Sequence, residues 1–513
     1  MASKLKSFLI SNLAGGINKY LDDFEIKDNE SPDMKNMDFF GVGALKKRRG
    51  YIKLGTGLSN HPTGIFQYKT TSKKEVLVMD GDTLKKYSGG GWVSISGFTF
   101  TSGKDTNACQ AGGKLYLSNG TDNLVQYNGT SLTELTGDNT CVGKWCVYYD
   151  NRLFCQKASN PDRLYFSGTG VKDGNAPDFS AGGGGGYLEF LPGSGAVITG
   201  AFKFGNYLYV LLEDAIYRLS PAETAGDYNV ELVVKALGTT SFRTIQQVGN
   251  DVLFLTHEGV VSFGEVANYL NLRITDLGSR VKPILDTAGG EEKEKACAVY
   301  FDHKYYLAFR RAGQTYNSEL VVYDTRYKAW LYWDNIRANQ FLVYIDSDNN
   351  RHLYFADDNT ANVYELGVGL NDDGDGIDAY IYTKKFDMGD FSIEKLIMDC
   401  SILFGNVYGT IDVEVITDDG AVAQSLTMGE ESDSGGIGRY MLGYKQIGEF
   451  GAGTTTSGNI ANDWRYFDVG QDTTMVQLKF SNSEADEDFQ IKKILLTFKA
   501  FPHYMRDDIR YVG

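Results

Sequence analysis

Proline and histidine are scarce in this sequence, and long apolar runs are missing. Only 8 prolines and 5 histidines occur among 513 residues, whereas glycine (60), tyrosine (33) and phenylalanine (29) are abundant. No apolar run approaches the length needed to span a bilayer as a helix. No long stretch places apolar residues at helical spacing either. These absences, with the supply of glycine and aromatic residues, predict an all-β protein of many short strands joined by Gly, Asn and Asp turns.

Residue types that carry much of enzyme chemistry are also sparse. The six cysteines form no CxxC pair and no regular framework, so we interpret them as buried thiols of a protein made in a reducing cytosol. The histidines lack partners at metal-ligand spacing and are interpreted as turn or edge residues: His61, His257, His303, His352 and His503. We therefore expect no catalytic residues and no cofactor. The N-terminal apolar run is short and interrupted by Ser11 and Asn12, so we expect no cleaved signal.

A two-strand unit recurs along the middle of the chain. GNYLYVLLEDAIYRLS, which starts at Gly205, is one of seven copies, and each copy has an aromatic residue near the end of its second strand. One leucine anchors each copy: Leu77, Leu115, Leu153, Leu208, Leu253, Leu307 and Leu353. These leucines span 276 residues, an average of 46 per repeat. In most copies a further apolar stretch precedes the anchor across a tight turn, so each period holds three or four strands.

This period is typical of the blades of a β-propeller. Seven repeats are visible, but a propeller closes its ring by sharing strands between its ends, so six to eight blades are compatible with the sequence. A Greek-key sandwich, or several sandwiches, is the alternative. The predicted organisation is an extended N-terminal arm (residues 1–60), a propeller (61–370) and an acidic β-sandwich-like domain (371–513), in which 429–458 is an exposed polar excursion.

Charge is distributed unevenly over these regions. The formal net charge is −16, and residues 371–513 account for −13 of it, with 25 acids and 12 bases. Residues 1–60 hold 10 bases and 7 acids. This acidity argues against a protein that grips nucleic acid by neutralising phosphates, although it does not exclude one through which DNA passes.

NDDGDGID is the best metal candidate in the sequence. Asn371, Asp373 and Asp375, with Gly376, match the opening of a calcium loop. Tyr382 stands where the bidentate glutamate is expected, and no helices flank the segment. Two interpretations stay open: a calcium site that takes oxygen ligands from elsewhere, or a solvated domain linker.

Three other motifs have a structural and a functional interpretation. KKRR, residues 46–49, predicts either a solvated turn or contact with DNA or an acidic partner. The glycine run 182–186 lacks the GK[ST] of a phosphate-binding loop, so it is interpreted as a flexible segment. Trp330 and Trp333, in KAWLYWDN, occur without the Gly-His of WD40 repeats and are interpreted as core residues.

The N-terminal stretch carries a family resemblance. FLISNLAGGINKYLDDFEIKDNESPDMKNMDFFGVGALKKRRGYIKLG resembles the start of tail nozzle proteins of short-tailed bacteriophages, also called tail tubular or stabilisation proteins. The matching positions are Gly15, Gly16, Asn18, 25–31, Asn36, Asp38, Gly43, Leu45, Arg49 and Gly50. VYYDNRLFCQKASNPDRLYFSG and VVYDTRYKAWLYWDN are also similar to the family. The likeness covers most of the first 370 residues and includes no catalytic signature.

The resemblance implies a structural virion protein, assembled in the host cytoplasm and located in the phage tail. It implies a homohexameric ring that docks on the tail adaptor, helps to seat tail fibres and meets the host envelope. Such a ring acts as conduit and gate for genome retention and DNA ejection, and DNA passes through it without sequence-specific binding. The alternative is a carbohydrate-binding or glycosidase-type propeller that recognises a cell surface, although the SxDxGxTW turns of such glycosidases are absent.

Overall fold

The computed structural model describes residues 5–137, 140–222, 227–266, 271–405, 409–428 and 463–500. Nearly all regular structure in these ranges is β-strand, which confirms the predicted all-β class. The chain divides into two compact units. We call Tyr51–Val368 the propeller, and Met1–Gly50 with Gly369–Gly513 the composite unit. Among the described residues, no helix has the length and apolar character needed to cross a membrane.

Six short strands lie before the propeller. They are β1 (Leu5–Ile10), β2 (Gly16–Ile17), β3 (Glu30–Ser31), β4 (Asp33–Lys35), β5 (Met37–Phe40) and β6 (Ala44–Lys47). The next strand, β7 (Tyr51–Lys53), belongs to the propeller. β2 and β3 form a small parallel pair, whereas β1, β4, β5, β6 and β7 are strands of larger sheets.

Seven four-stranded antiparallel sheets, the blades, form the described part of the propeller. Blade 1 consists of β8 (Pro62–Lys69), β9 (Lys74–Asp80), β10 (Thr83–Ser88) and β11 (Gly91–Ser94). Blade 2 consists of β12 (Asn107–Ala111), β13 (Lys114–Ser118), β14 (Val125–Tyr127) and β15 (Leu132–Glu134). Blade 3 consists of β16 (Gly143–Tyr149), β17 (Arg152–Lys157), β18 (Asn160–Phe166) and β19 (Gly186–Glu189). Blades 4 and 5 are β20 (Ile198–Phe204), β21 (Tyr207–Leu212), β22 (Ala215–Leu219) and β23 (Val230–Lys235); β24 (Gln246–Val248), β25 (Asp251–Leu255), β26 (Val260–Val266) and β27 (Asn271–Asp276). Blades 6 and 7 are β28 (Cys297–Phe301), β29 (Lys304–Phe309), β30 (Glu319–Asp324) and β31 (Ala329–Asp334); then β32 (Ala338–Ile345), β33 (Arg351–Asp357), β34 (Val363–Leu366) and, as the fourth strand, β7.

Short helical segments connect some blades. Two α-helices, α1 (Lys282–Leu285) and α2 (Gly290–Glu294), lie between blades 5 and 6. The described 3-10 turns are Val171–Asp173, Phe242–Thr244 and Ser279–Val281.

The seven anchor leucines lie at equivalent places in the seven blades. Each is on the second strand of its sheet, from Leu77 on β9 to Leu353 on β33. The predicted hairpin turns also carry the expected backbone: Gly112-Gly113 and Asp150-Asn151 have positive φ at both positions. Such backbones match the twist of the flanking strands. The repeat inferred from sequence is therefore the structural unit, and the ring has seven blades.

The first strands of the blades are the innermost. Each contacts the first strand, or the turn before it, of the next blade, and β32 contacts β8 to complete the circle. Apolar clusters join neighbouring blades, such as Phe66 and Leu77 of blade 1 with Leu117 and Tyr127 of blade 2. The ring is closed by β7, which pairs antiparallel with β34. This shared strand from the N-terminal side confirms the expected mode of closure.

Residues after the propeller supply the longer strands of the composite unit. They are β35 (Ala379–Tyr382), β36 (Lys395–Phe404), β37 (Gly409–Thr417), β38 (Gly420–Met428), β39 (Asp463–Thr473), β40 (Gln477–Asn482) and β41 (Gln490–Ala500). A five-stranded sheet has the order β38-β37-β40-β35-β4. A six-stranded sheet has the order β39-β36-β41-β6-β5, with β1 also paired to β41. Each sheet buries one apolar face, including Ile381 and Phe480 in the first and Ile402 and Leu496 in the second.

The N-terminal region differs from the predicted arm of residues 1–60. β1, β4, β5 and β6 are strands of the two composite sheets, and β7 closes the propeller. The unit boundaries fall after Gly50 and Val368 rather than after residues 60 and 370. These five strands are three to six residues long, too short for a periodic signal. β1, β4, β6 and β7 pair with residues more than three hundred positions away, and β5 pairs with β6. The polar excursion predicted at 429–458 lies outside the described residues.

Candidate functional site

The predicted calcium loop is a tight turn. The backbones of Asp372 and Asp375 exchange hydrogen bonds of 2.8 and 3.1 Å, and the Asn371 side-chain oxygen accepts from the Gly374 amide at 2.8 Å. Asp373 and Asp375 are exposed. Among the described residues, no three His, Cys, Asp or Glu side chains are placed to hold a metal ion. The structure thus gives the loop a turn geometry in which the Asn371 side-chain oxygen already accepts a backbone hydrogen bond.

Asp372, an acid of this loop that the calcium pattern leaves out, has a structural partner. Asp372 receives two hydrogen bonds from the Arg48 guanidinium, at 2.8 and 2.7 Å. The two side chains are 0% and 1% exposed. They stand 324 positions apart, one before and one after the propeller in sequence. A bidentate buried pair of this kind fixes the two chain segments in one geometry.

KKRR is a part of the composite core, which corrects both interpretations of its middle residues. Lys47 is 1% exposed, and its ammonium donates to the Asn482 side chain at 2.6 Å and the Glu484 carbonyl at 2.8 Å. Burial lowers the pKa of Lys47 to about 8, although Glu487 and Asp488 act in the opposite direction. Lys47 and Arg48 are therefore fold-determining cations and do not face solvent or nucleic acid.

Other residues of the family-like stretch also have structural roles. Asn36 has a φ of 54°, accepts a hydrogen bond from Arg48 Nε at 2.9 Å and donates to the Asp378 carbonyl at 2.8 Å. A Cβ on Gly50 would lie 1.7 Å from the Asn371 carbonyl oxygen, so only glycine fits there. The buried Asn18 amide donates to the Glu30 carboxylate at 2.9 Å. The motif therefore encodes how the N-terminal segment packs within the composite unit.

A network of polar side chains lies in the middle of the propeller, at the end of the ring where the first strands of blades 2, 5, 6 and 7 begin. We call it the hub network, and its members are Asp105, Arg243, Lys295, Asn339 and Asp358. Asp105, just before β12, contacts the Lys295 ammonium at 2.7 Å and the Arg243 guanidinium at 3.7 Å. The Asn339 amide donates to Asp105 at 3.3 Å. Asp105 precedes blade 2, Arg243 precedes blade 5 and Lys295 precedes blade 6. Blades 2 and 6 are three blades apart in a ring of seven. The contact between Asp105 and Lys295 therefore crosses the centre of the ring.

The electrostatics of this hub network favour its ionised form. Burial opposes ionisation of Asp105, but Arg243 and Lys295 outweigh it and leave the pKa at about 2. Asn339 also donates to Asp358 at 2.9 Å, and burial raises the pKa of that second carboxyl. The network ties four blades together.

The remaining predicted residues have structural roles as well. Trp330 and Trp333 are 1% and 4% exposed in blade 6, in accordance with their interpretation as core residues. In the glycine run, the Gly185 amide donates to the Ser180 carbonyl at 2.8 Å, and a Cβ there would lie 2.5 Å from Phe179. The six cysteines are free thiols, four of them buried. His352 contacts Glu365 at 2.6 Å, and this contact raises the pKa of His352.

Sequence reasoning missed the hub network. Asp105, Arg243, Lys295 and Asn339 are ordinary polar residues that lie just before, or at the start of, the first strand of their repeats, and Asp358 follows the second strand of blade 7. Alignment of the repeats would place them at one end of the ring. It would not indicate which of seven equivalent positions meet across the centre, because that depends on side-chain reach in three dimensions.

Comparison with known proteins adds the fold class alone. No protein-family model matches the chain, and no curated protein matches it. Similar solved structures include YCF48 bound to D1 peptide, with 10% identity and a TM-score of 0.40 over 66% of this chain and 99% of that one. BamB from Moraxella catarrhalis has 11% identity and a TM-score of 0.35 over 63% and 98%. The Neurospora crassa Pan2 WD40 domain has 8% identity and a TM-score of 0.39 over 63% and 95%. Likeness at this level carries no argument about function.

Proposed function

We propose that the protein is a structural virion protein that forms the distal tail nozzle ring of a short-tailed phage. In this role six copies assemble on the tail adaptor, retain the packaged genome and open to let DNA leave. The observation that carries the proposal is the part played by the family-like residues. Asn18, Asn36 and Gly50 determine the packing of the composite unit. The resemblance therefore rests on residues that specify an architecture, not on surface composition.

The propeller suits a mechanical role. Closure by β7 removes the free edges that an incomplete ring would expose. The hub network adds bonds between blades that are not neighbours in the ring. A closed and internally braced ring resists deformation, which is what a wall element of a pressurised conduit requires.

Charge supports passage of DNA without retention. Six copies of a chain with net charge −16 carry −96 in total. Like charge repels the phosphate backbone, so such a ring would not gain the counterion release that drives DNA binding. Acidity also favours solubility of the subunit before assembly.

An exposed apolar stripe on the six-stranded sheet suits contact with another protein. The register places Leu9, Leu495, Ser401 and Tyr466 in one row across β1, β41, β36 and β39. Leu9 and Tyr466 are each 52% exposed, and Trp464, two residues along β39, is 40% exposed. Assembly of six copies into the nozzle ring, or docking on the adaptor, would bury this surface.

The test is the symmetry of the assembly that the full-length protein forms with the portal and adaptor of its phage. We expect electron microscopy to reveal a sixfold ring at the tail tip, and a Tyr466→Lys, Leu9→Lys variant to weaken assembly while the monomer stays folded. A virion preparation without this chain, or turnover of a polysaccharide by the purified protein, would favour the alternative of a glycosidase-type propeller.

A further inference from the structure

The solvent-facing side of the five-stranded sheet holds a groove of about 390 Å³. Its lining comprises Asp33, Asp378, Tyr380, Tyr382, Asp412, Lys479, Ser481, Asn482 and Ser483. All of these residues belong to the composite unit. The groove is separate from the propeller hub and from the apolar stripe of the six-stranded sheet.

Strand alternation builds the groove. One row across β4, β35, β40 and β37 consists of Lys35, Tyr380, Ser481 and Asp412. The second row on this face consists of Asp33, Tyr382, Lys479 and Glu414. The row between them faces the core and is buried: Met34, Ile381, Phe480 and Val413. The side chains of these two rows are therefore held on a regular sheet rather than on loops, which fixes their spacing.

Positive and negative groups alternate along the groove. Lys35 contacts Asp378 at 2.6 Å, and Lys479 contacts Glu414 at 2.7 Å. Lys19 contacts Asp33 at 2.8 Å from the groove margin. The Asp378 carboxylate is nevertheless 59% exposed, so it retains acceptor positions toward solvent.

Two tyrosine rings form the apolar part of the lining. Tyr380 and Tyr382 lie 5.9 Å apart between ring centroids, at an interplanar angle of 78°. The Lys35 ammonium is 5.3 Å from the first ring and the Lys479 ammonium 5.7 Å from the second. Each tyrosine ring therefore offers an apolar surface next to a lysine ammonium, which donates hydrogen bonds, and the carboxylate paired with that lysine, which accepts them.

This combination discriminates between ligand classes. An anion would be repelled by the exposed Asp412 carboxylate and by Asp378, whose carboxylate is 59% exposed. A metal cation would need several ligands on one ion, and the described residues include no group of three His, Cys, Asp or Glu side chains placed to supply them. A neutral molecule with several hydroxyl groups can donate to the carboxylates, accept from the ammonium groups and pack its C–H face on a ring.

We propose that this groove binds a neutral saccharide, such as a hexose unit of a polysaccharide. The volume is at the lower end of the range for ligand pockets, which corresponds to about one or two sugar rings. The inference goes beyond the proposed tail role and does not depend on it, because every residue of the groove comes from one composite unit.

The experiment uses the full-length protein and a panel of neutral sugars: glucose, galactose, N-acetylglucosamine and their disaccharides. Binding is measured by saturation-transfer NMR and isothermal titration calorimetry at millimolar ligand. Asp412→Ala removes an exposed acceptor, and Tyr382→Ser removes a ring. Each is expected to weaken binding by at least about tenfold, since loss of one charged hydrogen bond or one stacked ring costs enough for that change.

Matched controls lie in the same unit outside the groove. Asp419→Ala, on the exposed turn between β37 and β38, and Tyr20→Ser, at a tyrosine of the N-terminal segment that is 65% exposed, should change the dissociation constant by less than about twofold. If Tyr382→Ser does not fold, the exposed Asp412 position still decides the matter. Absence of binding across the panel, binding unchanged by both groove variants, or Ca²⁺ binding in place of sugar would overturn the proposal. If the protein does not form the sixfold ring of the proposed tail role, the outcome of the sugar-binding experiment is unaffected.

Discussion

The propeller and the composite unit are built from the same kind of strand but by opposite routes along the chain. Within a blade, each strand pairs with the strand that follows it, and only the closing pair of β7 and β34 is remote in sequence. In the composite unit, β1 pairs with β41 and β4 pairs with β35. Loop closure over such separations costs more chain entropy and slows pairing. The two units therefore depend on different residues, and substitutions can separate them.

The largest expected effect is that of Arg48→Met in the composite unit. Loss of the guanidinium leaves Asp372 as a buried carboxylate without its partner, which costs about 3–5 kcal/mol. We expect hydrogen exchange to speed up in β36 and β41 while the blades keep their protection. Arg218→Met is the matched control, because its 2.6 Å pair is with the Glu231 carboxylate, which is 55% exposed, and such a solvent-accessible pair is worth about 0–1 kcal/mol. Equal loss in both variants would contradict the argument.

Tyr51→Ala should act on the propeller instead. Tyr51 is 3% exposed and packs against Phe355 and Tyr364, with ring centroids 5.3 and 4.7 Å away. Truncation of a buried aromatic side chain lowers the free energy of unfolding by about 3 kcal/mol at the lower end of the usual range. We expect this lower value here, because β7 is an edge strand of only three residues. Thermal unfolding and hydrogen exchange in blade 7 measure the loss of stability. Ile52→Ala, at a neighbouring residue that is 46% exposed, should be within about 0.5 kcal/mol of the parent.

Gly50→Ala tests the last residue of the N-terminal segment. The added methyl group would overlap the Asn371 backbone, so the chain must shift, at a cost of about 2–3 kcal/mol in the composite unit. Gly290→Ala is the control, since no atom lies within 4 Å of a Cβ there. Urea unfolding monitored by exchange in the composite strands gives the comparison. A neutral Gly50 variant would mean that the segment packs less tightly than the geometry indicates.

The smallest effect is expected from the hub network, and it disappears in acid. The pKa of Asp105 is lowered from 3.8 to about 2, so its ion pairs contribute fully above pH 3.8 and are lost as the pH falls through about 2. The shift corresponds to about 2 kcal/mol of propeller stability. The stability difference between the parent and Asp105→Asn should therefore shrink between pH 4 and pH 2 in acid-unfolding curves. Asp419→Asn should leave that acid transition unchanged, and a constant Asp105 difference across this range would contradict the hub assignment.

The contrast between the units explains which sequence predictions held. A blade is a local structure, so hydrophobic alternation and turn pairs such as Asp150-Asn151 revealed it. The N-terminal strands have no local signal and were expected to form an arm. KKRR was expected to be exposed because four consecutive charges usually are, yet Lys47 and Arg48 find partners more than three hundred positions away. No pattern within a short window contains that information.

The groove follows the same logic. The alternation in DAYIY, residues 378–382, suggests a strand with tyrosines on one face, but it does not identify Lys479 and Asp412 as their neighbours. The predicted calcium loop is the converse case. Its local match to a motif was good, whereas the backbone turn uses the Asn371 side chain and Arg48 takes Asp372.

The sequence by itself determined the β class and the repeat, because these depend on side-chain alternation and turn conformations that act over a few residues. It left the number of blades between six and eight, and the pairing of β7 with β34 in the folded chain sets it at seven. Tertiary structure decided the partners of the buried charges, the crossing of the hub by Asp105 and the assembly of one unit from both ends of the chain. Such contacts depend on where distant segments meet in the folded chain, and a buried ion pair stabilises the protein only when both partners are in place.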